Sequence, residues 1–471
     1  MEVLLSHGYF LEDDEKEQRI LRPYPPLGIL CIAAYLDEHG IANSVYDTTF
    51  SSKPHFNQYL LQHQPPVLAL YVNLMTKINI LETIRFVKQN KPATRVVLGG
   101  PEVKHSAENF LRAGADVIVI GEGEETTAEL VAAFKAHGYA DGAYRHTIRG
   151  IAFLDEDRFV ETPERDKIKD INTLPVPARH KIDLDLYLNA WKQRHGTSAL
   201  SVSTMRGCPY TCKWCSRAVY GLSYRRRSPE KVADELDTIR QRYQPDSVWF
   251  VDDVFTISHK WLTGFRDALK ERNFVMPYEC ITRADRMNEE VIGLLKDTGC
   301  FRVWIGAESG SQHVIDLMDR RVQVTQVRDM IKLTKTYGIE TGTFIMLGYP
   351  GETEADIEQT ITHLKESDPD HFTITIAYPI RGTELFEEVE ALQTTALDWN
   401  TSTDRDIDFK RSYPRKFYDF AVRRVVNEVL YSKRKHTALS PRAIAFKLKS
   451  VAAKVGMWWT KGMASPEAKS L

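Results

Sequence analysis

Three cysteines lie within the run Cys208-Pro209-Tyr210-Thr211-Cys212-Lys213-Trp214-Cys215. With three residues and then two between them, one short loop can wrap a compact soft-metal centre. Thiolate is the ligand that iron–sulfur clusters prefer. A tetrahedral zinc site needs a fourth ligand, usually from a second Cys or His pair. No CxxC or HxxxH follows here at zinc-finger spacing. Three thiolates on a four-iron cluster leave one iron without a protein ligand, and there a small molecule can bind and be reduced. A zinc or purely structural cysteine cluster is the alternative.

The CxxxCxxC pattern with an aromatic before its last Cys resembles the cluster loop of radical S-adenosylmethionine (SAM) enzymes. The resemblance implies a 4Fe-4S cluster on Cys208, Cys212 and Cys215 and SAM chelated by the open iron. Reductive cleavage of SAM then yields a 5′-deoxyadenosyl radical. Trp214 is the aromatic expected against the adenine side of SAM. Further motifs follow in family order. Asp252-Asp253 offers a carboxylate for the SAM ammonium, or helix caps, and the sequence does not choose between the two residues. Arg283 is either a carboxylate clamp or an ion-pair partner of Asp285. Glu308-Ser309-Gly310 resembles the segment whose Glu holds the ribose hydroxyls. Gly348-Tyr349-Pro350-Gly351-Glu352 resembles the turn that lets backbone approach adenine, and Gly348 is the residue assigned to SAM. Arg381 is a guess for the substrate cavity. No catalytic side chain is assigned.

The elements that must carry these motifs can be counted. After His195, strands are expected at 199–203, 247–251, 278–282, 302–305, 341–346 and 371–376, with helices between. That resembles the family's partial (β/α)6 barrel, whose chemistry sits at the carboxyl ends of strands. Before about residue 140, short strands near residues 3, 44, 67, 96 and 117 alternate with helices, which implies a parallel, doubly wound sheet. Ligands on such sheets sit at the strands' carboxyl ends. The fold class is therefore α/β: a Rossmann-like parallel sheet, a TIM-type partial barrel, and a helical C-terminal segment. The expected domains are 1–140, a linker at 141–195 containing a hairpin, 196–390, and 391–471.

Neither Leu98-Gly99-Gly100-Pro101 nor Gly121-Glu122-Gly123-Glu124 is a first-turn GxGxxG, and the carboxylates of the second would repel a pyrophosphate. With Pro25-Pro26-Leu27-Gly28, these segments resemble the cobalamin-binding domain that precedes the radical SAM domain in a large subfamily. The resemblance implies a dimethylbenzimidazole tail buried near Asn73, Leu98, Gly99 and Gly100; Asn73 stands where relatives often carry Ser. Pro25 occupies the place of the cobalt-ligating His of other cobalamin domains, so cobalamin is expected without a protein imidazole on cobalt.

The bulk composition agrees with such an enzyme. The 471 residues carry 62 Lys and Arg against 64 Asp and Glu, a net charge of −2, so nothing draws the whole chain to nucleic acid. No signal-peptide pattern or run of about 20 apolar residues is seen. Cys31, Cys280 and Cys300 are expected as small buried hydrophobes, in keeping with a reducing cytoplasm and an oxygen-sensitive cluster. Near the C-terminus, Lys433-Arg434-Lys435 is a basic run. From Pro441, Ile444, Leu448, Val451, Val455, Trp458 and Trp459 share one helical face flanked by Lys447, Lys454 and Lys461. Two readings stand: packing on protein, or peripheral contact with the inner face of a membrane.

What the resemblance implies is a cobalamin-dependent radical SAM methyltransferase acting on an inert carbon of a small-molecule or lipid-like substrate. The radical takes hydrogen from the substrate, methylcobalamin supplies the methyl group, and a flavodoxin- or ferredoxin-type donor supplies electrons. A non-methylating oxidative cyclase is the rival on the same architecture. Methylthiotransferases hold a second cluster on three further N-terminal Cys, and only Cys31 lies there. A non-enzymatic cobalamin sensor needs neither the cluster loop nor Glu308, and losing Cys212 would leave its ligand response intact.

Overall fold

A computed structural model describes residues 2–394, 396–434 and 440–462, so Lys435 of the basic run lies outside the described residues. The chain divides into two compact units. One comprises Met1–Pro209, Ser216–Trp249 and Asp398–Thr403; the other comprises Tyr210–Cys215, Phe250–Leu397 and Asp404–Leu471.

In the first unit, β1 (Val3–His7), β2 (Asn43–Tyr46), β3 (Val67–Tyr71), β4 (Arg95–Gly99), β5 (Val117–Val119), β6 (Ile151–Asp155) and β7 (Arg158–Glu161) form one sheet in the order β2-β1-β3-β4-β5-β6-β7. Pairing is parallel through β5 and antiparallel for β6 and β7. Alternate side chains of a strand point to opposite faces, and both faces here are covered, as a parallel sheet requires. Leu68 and Leu70 join Leu98 and Ile118 under Phe56, Ile80 and Phe110. Val67 and Ala69 join Val97 and Val117 under Ile29, Leu130 and Phe134. The hairpin expected in the linker is the edge of this sheet, with Ala152 opposite Ile118. A helix at Leu184–His195, capped by Asp183, was not read from the sequence.

The remaining strands are β8 (Ala199–Val202), the antiparallel two-residue pair β9 (Met205–Arg206) and β10 (Arg225–Arg226), β11 (Ser247–Phe250), β12 (Tyr278–Thr282), β13 (Cys300–Glu308), β14 (Glu340–Leu347) and β15 (His371–Ile376). Six of them form an open, curled half-barrel sheet in the order β15-β14-β13-β12-β11-β8. Pairing from β12 to β15 is parallel. Helices cover its outer face. In His259–Glu271, Ser258 Oγ accepts from Trp261 N at 3.2 Å, and Trp261, Leu262, Phe265, Ala268 and Leu269 are buried at helical spacing. Phe265 meets Phe250, Phe255 and Tyr278 edge-on. Truncating such a fully buried Phe costs about 3–5 kcal/mol.

Cys280 and Cys300 are buried, as expected. Cys31 differs, because it is only half-buried and borders a cleft.

Candidate functional site

The cysteine loop is clamped from two sides within the second unit. Lys213 N donates to Met318 O at 3.3 Å, and Lys213 O accepts from Leu385 N at 3.0 Å. Thr211 Oγ1 donates to Asp319 Oδ2 at 3.1 Å. A turn closes the loop, with Cys215 N donating to Cys212 O at 3.2 Å. Trp214 packs with Val314, Met318, Met346 and Tyr349. In the first unit, Cys208 is half-buried and forms a bridge with Leu222.

Cys212 Sγ is nearly buried and faces two guanidiniums. Arg283 Nη1 donates to it at 3.5 Å and Arg320 Nη1 at 3.7 Å. Both arginines are themselves buried and held by other groups. Arg283 pairs with Asp285 at 2.9 Å, donates to Arg320 O at 2.8 Å, and lies 3.9 Å over the Tyr210 ring. The ion pair with Asp285, one of the two readings of Arg283, is formed. Arg320 donates to Gly306 O at 2.8 Å and stands 3.6 Å from Glu308 Oε1. Nothing in the sequence singled out Arg320, because its partners lie on β13 and on a loop 108 residues away.

Glu308 ends β13 at a bulge, with φ of 63°. A non-glycine residue in the left-handed region costs about 1–3 kcal/mol, and such strain collects at functional sites. Burial pushes the Glu308 carboxyl up, while Arg320 and Arg283 pull it back. Behind it, Ser309 is buried with Oγ 3.2 Å from Thr360 Oγ1, and Gly310 N donates to the same oxygen at 2.9 Å.

Gly348 follows β14 with φ of 78°, where glycine is unstrained. Its N–H donates to Glu352 Oε2 at 2.5 Å. Glu352 is fully buried, and its other oxygen has no partner. Burial pushes this carboxyl up to about 8, with a smaller push from the charge of Asp356, against the Gly348 hydrogen bond.

After β11, Asp252 is buried, whereas Asp253 keeps solvent-accessible surface. Asp253 is still ringed by protein, and this desolvation and the charge of Asp252 raise its carboxyl. Arg381 bonds Asp404 through both its backbone N at 2.7 Å and its Nε at 3.1 Å.

In the first unit a cleft of ≈ 280 Å³ opens at the carboxyl ends of β1, β3, β4 and β5. Gly28, Cys31, Gly99, Gly100, Gly123 and Tyr220 are among its lining residues. At Gly28 a Cβ would meet no atom within 4 Å, so its bare face opens on free space. Leu98 is instead fully buried in the sheet core. Asn73 Oδ1 accepts from Met75 N and Thr76 N, which places it in a turn before the next helix. His7, at the end of β1, is tied to Asp47 and Thr48. The two carboxylates expected to repel a pyrophosphate are both neutralised. Glu122 pairs with Arg206 at 2.7 Å and Arg225 at 2.6 Å, and Glu124 pairs with Arg206. The case against a dinucleotide therefore rests on the absent GxGxxG. The Cys31 thiol is pushed up to about 11 by burial and by Glu124, so it is not a ready thiolate.

The residues present fit an iron–sulfur cluster and a corrinoid. None of the three loop cysteines is in a disulfide, and Cys212 has two cationic donors on its sulfur. Among the described residues, no group of three His, Cys, Asp or Glu surrounds a point as for a single metal ion. A cubane takes its thiolates at separate irons, so its sulfurs stand wider apart than those on one ion. The cleft is apolar and glycine-lined, and a flat organic ring needs such walls.

Comparison with known proteins agrees with this chemistry. The profile of the Radical SAM superfamily matches residues 202–364, and that of the B12 binding domain matches residues 19–131. An uncharacterized methyltransferase of Pyrococcus horikoshii is 28% identical over 371 residues, which is 77% of this chain and 78% of that protein. The anaerobic magnesium-protoporphyrin IX monomethyl ester cyclase of Cereibacter sphaeroides is 27% identical over 372 residues, 77% of this chain and 59% of that one. The solved structure of the cobalamin-dependent S-adenosylmethionine radical enzyme OxsB with aqua-cobalamin bound superposes with a TM-score of 0.73. It covers 96% of this chain and 72% of that chain at 17% identity, a likeness of fold. The chain therefore carries a Radical SAM domain and a B12 binding domain. More narrowly, its B12 binding domain makes it one of the cobalamin-dependent radical SAM enzymes, whose cofactors are a 4Fe-4S cluster, SAM and cobalamin.

Proposed function

We propose that this enzyme transfers a methyl group to an unactivated carbon of a small-molecule or lipid-like substrate. One observation carries the reading: a B12 binding domain and a Radical SAM domain lie in one chain whose relative over three quarters of its length is named a methyltransferase. When bound, the cluster and SAM supply a hydrogen-abstracting radical, and cobalamin supplies a transferable methyl group. The cobalamin domain is assigned to residues 1–140 and the radical domain to 196–390, with 141–195 joining them.

In this reading Cys208, Cys212 and Cys215 ligate the cluster. Arg283 and Arg320 hold the Cys212 sulfur in place through donors that are themselves fixed. Glu308 is kept beside Arg320 and offers a carboxylate for two vicinal hydroxyls. Its strained backbone is the mark of a residue placed for binding rather than for packing. Ser309 supports that turn. Gly348 lets backbone reach an adenine edge, with Trp214 as the apolar wall. Of the two aspartates, the accessible Asp253 is the one free to meet an ammonium group. Gly99 and Gly100 serve the cobalamin tail, with Asn73 and Leu98 supporting the walls behind them. A reduced flavodoxin- or ferredoxin-type protein supplies the electrons, and the site of action is the cytoplasm.

The test is anaerobic reconstitution with and without cobalamin, incubation with candidate extracts, and mass spectrometry. Methyl transfer predicts a product heavier by one methylene unit, formed only with cobalamin. The cyclase relative supports a second reading, oxidative ring closure. That reading predicts a product lighter by hydrogen, with no methyl gained.

A further inference from the structure

The helix Pro441–Lys461 packs against the helix Arg415–Ser432 with a face of mostly small residues. Ala443, Ser450, Ala453, Met457 and Thr460 are buried there. The approach is close: a Cβ at Gly456 would fall 2.5 Å from the Phe420 ring. Ser450 Oγ donates to Glu428 at 2.6 Å, and Lys365 and Lys447 hold the same carboxylate. Burial pushes Glu428 up, but these three hydrogen bonds outweigh it and hold the group down at about 2. Lys461 pairs with Glu354 at 2.7 Å at the far end. The helix is therefore held near its middle and at its C-terminal end.

Its outer face is left bare. Ile444, Leu448, Val451, Val455, Trp458 and Trp459 are all exposed, with Leu448 at 65%, Trp458 at 77% and Trp459 at 64%. Their spacing puts them on a single stripe of roughly 100°. A contiguous apolar patch of this kind marks an interaction surface rather than ordinary surface scatter. The two sequence readings thus resolve: packing uses the small residues, and the aromatic stripe is still without a partner among the described residues.

Charge identifies the occupant. The helix carries Arg442, Lys447, Lys449, Lys454 and Lys461 and no acid. From Arg415 to Gly462, twelve Lys and Arg stand against Asp419 and Glu428 alone, whereas the rest of the chain carries 50 Lys and Arg against 62 Asp and Glu. Basic residues beside a Trp-bearing apolar stripe suit an anionic lipid surface, where the rings enter the headgroup layer and cations meet lipid phosphates. The helix is too short of apolar residues to cross a bilayer.

We propose that the helix Pro441–Lys461 docks this enzyme on an anionic membrane surface, its stripe lying in the interface plane. The proposal stands apart from the methyl-transfer reading, because it is tested without turnover. The full-length, anaerobically purified protein is floated with vesicles of equimolar phosphatidylcholine and phosphatidylglycerol, and with pure phosphatidylcholine. Tryptophan emission is recorded alongside. The expected result is flotation with the anionic vesicles only, a blue shift in emission, and weakening by salt. Trp458→Ser with Trp459→Ser should reduce binding at least about tenfold. Lys449→Gln and Lys454→Gln should each reduce it about fivefold. All four side chains are exposed, so these variants should keep the wild-type circular dichroism. Absence of flotation at low salt overturns the proposal. So does a concentration-dependent dimer, lost in the tryptophan variant, with no vesicle binding, because a second copy would then cover the stripe.

Discussion

Arg283 grips Asp285 at 2.9 Å with one edge of its guanidinium and reaches Cys212 Sγ at 3.5 Å with another nitrogen. One buried side chain thereby links the loop after β12 to the cysteine loop. Arg283→Ala leaves Asp285 without this partner and should cost about 3–5 kcal/mol in chemical denaturation of the apoprotein. Arg283→Lys keeps the charge but loses the fork, so the sulfur contact and the bond to Arg320 O cannot both survive. In the reconstituted Lys variant, iron should be lost to a chelator about tenfold faster than in wild type, by analogy with outer partners of metal ligands. Equal retention would show that Arg283 serves folding alone.

Glu352 predicts an unusual loss of stability on the alkaline side. Its carboxyl rises from the ordinary 4.5 to about 8 because it is buried. Between these values the folded chain binds a proton that the unfolded chain does not, so this contribution is complete below 4.5 and disappears as pH rises through 8. The total is on the order of 5 kcal/mol. Glu352→Gln keeps an acceptor for Gly348 N–H and removes the titration. Melting curves of the Gln variant should therefore be flatter with pH, and at the alkaline end the variant should be the more stable protein.

His363 titrates in the opposite sense. It is fully buried with neither ring nitrogen hydrogen-bonded, and burial together with Arg328 lowers it from 6.5 to about 4. Its contribution is complete above 6.5 and is lost as pH falls to 4, on the order of 3 kcal/mol. His363→Leu should remove that acid-side slope, measured by the same melting curves.

Much of this arrangement was legible in the chain, and the reason is local. The strands around residues 67, 96, 278, 341 and 371 appear within a residue or two of their expected limits, because apolar runs bounded by turn residues are a local signal. The carboxyl-end positions of Glu308 and Gly348 followed from order along the chain. Pairing was not legible. The hairpin at 151–161 was visible, but its place beside β5 is a tertiary choice with no local signature. Arg320 and Arg206 act on partners 108 and 82 residues away, so no spacing could reveal them. The helix Leu184–His195 was hidden behind the proline-rich run before it.

Gly310 carries a steric prediction. A Cβ there would stand 2.4 Å from Thr360 Cα and 2.6 Å from His363 Cβ, on the helix Glu354–Ser367. Neither the backbone atom nor the buried ring can yield cheaply, so Gly310→Ala should cost about 1–3 kcal/mol. It should also move Glu308, two residues back. Isothermal titration with SAM on the reconstituted variant is expected to show weaker binding, whereas Gly293→Ala, with nothing within 4 Å of its Cβ, should not.

The central claim is that Cys208, Cys212 and Cys215 share one cluster with an iron left open to SAM. Electron paramagnetic resonance of the anaerobically reconstituted, reduced protein tests it most directly, alongside iron and sulfide analysis. The account predicts four irons and four sulfides per chain, a signal that changes shape when SAM is added, and loss of both in Cys212→Ala. Wild-type protein without sulfide, or a cluster signal indifferent to SAM, would contradict it.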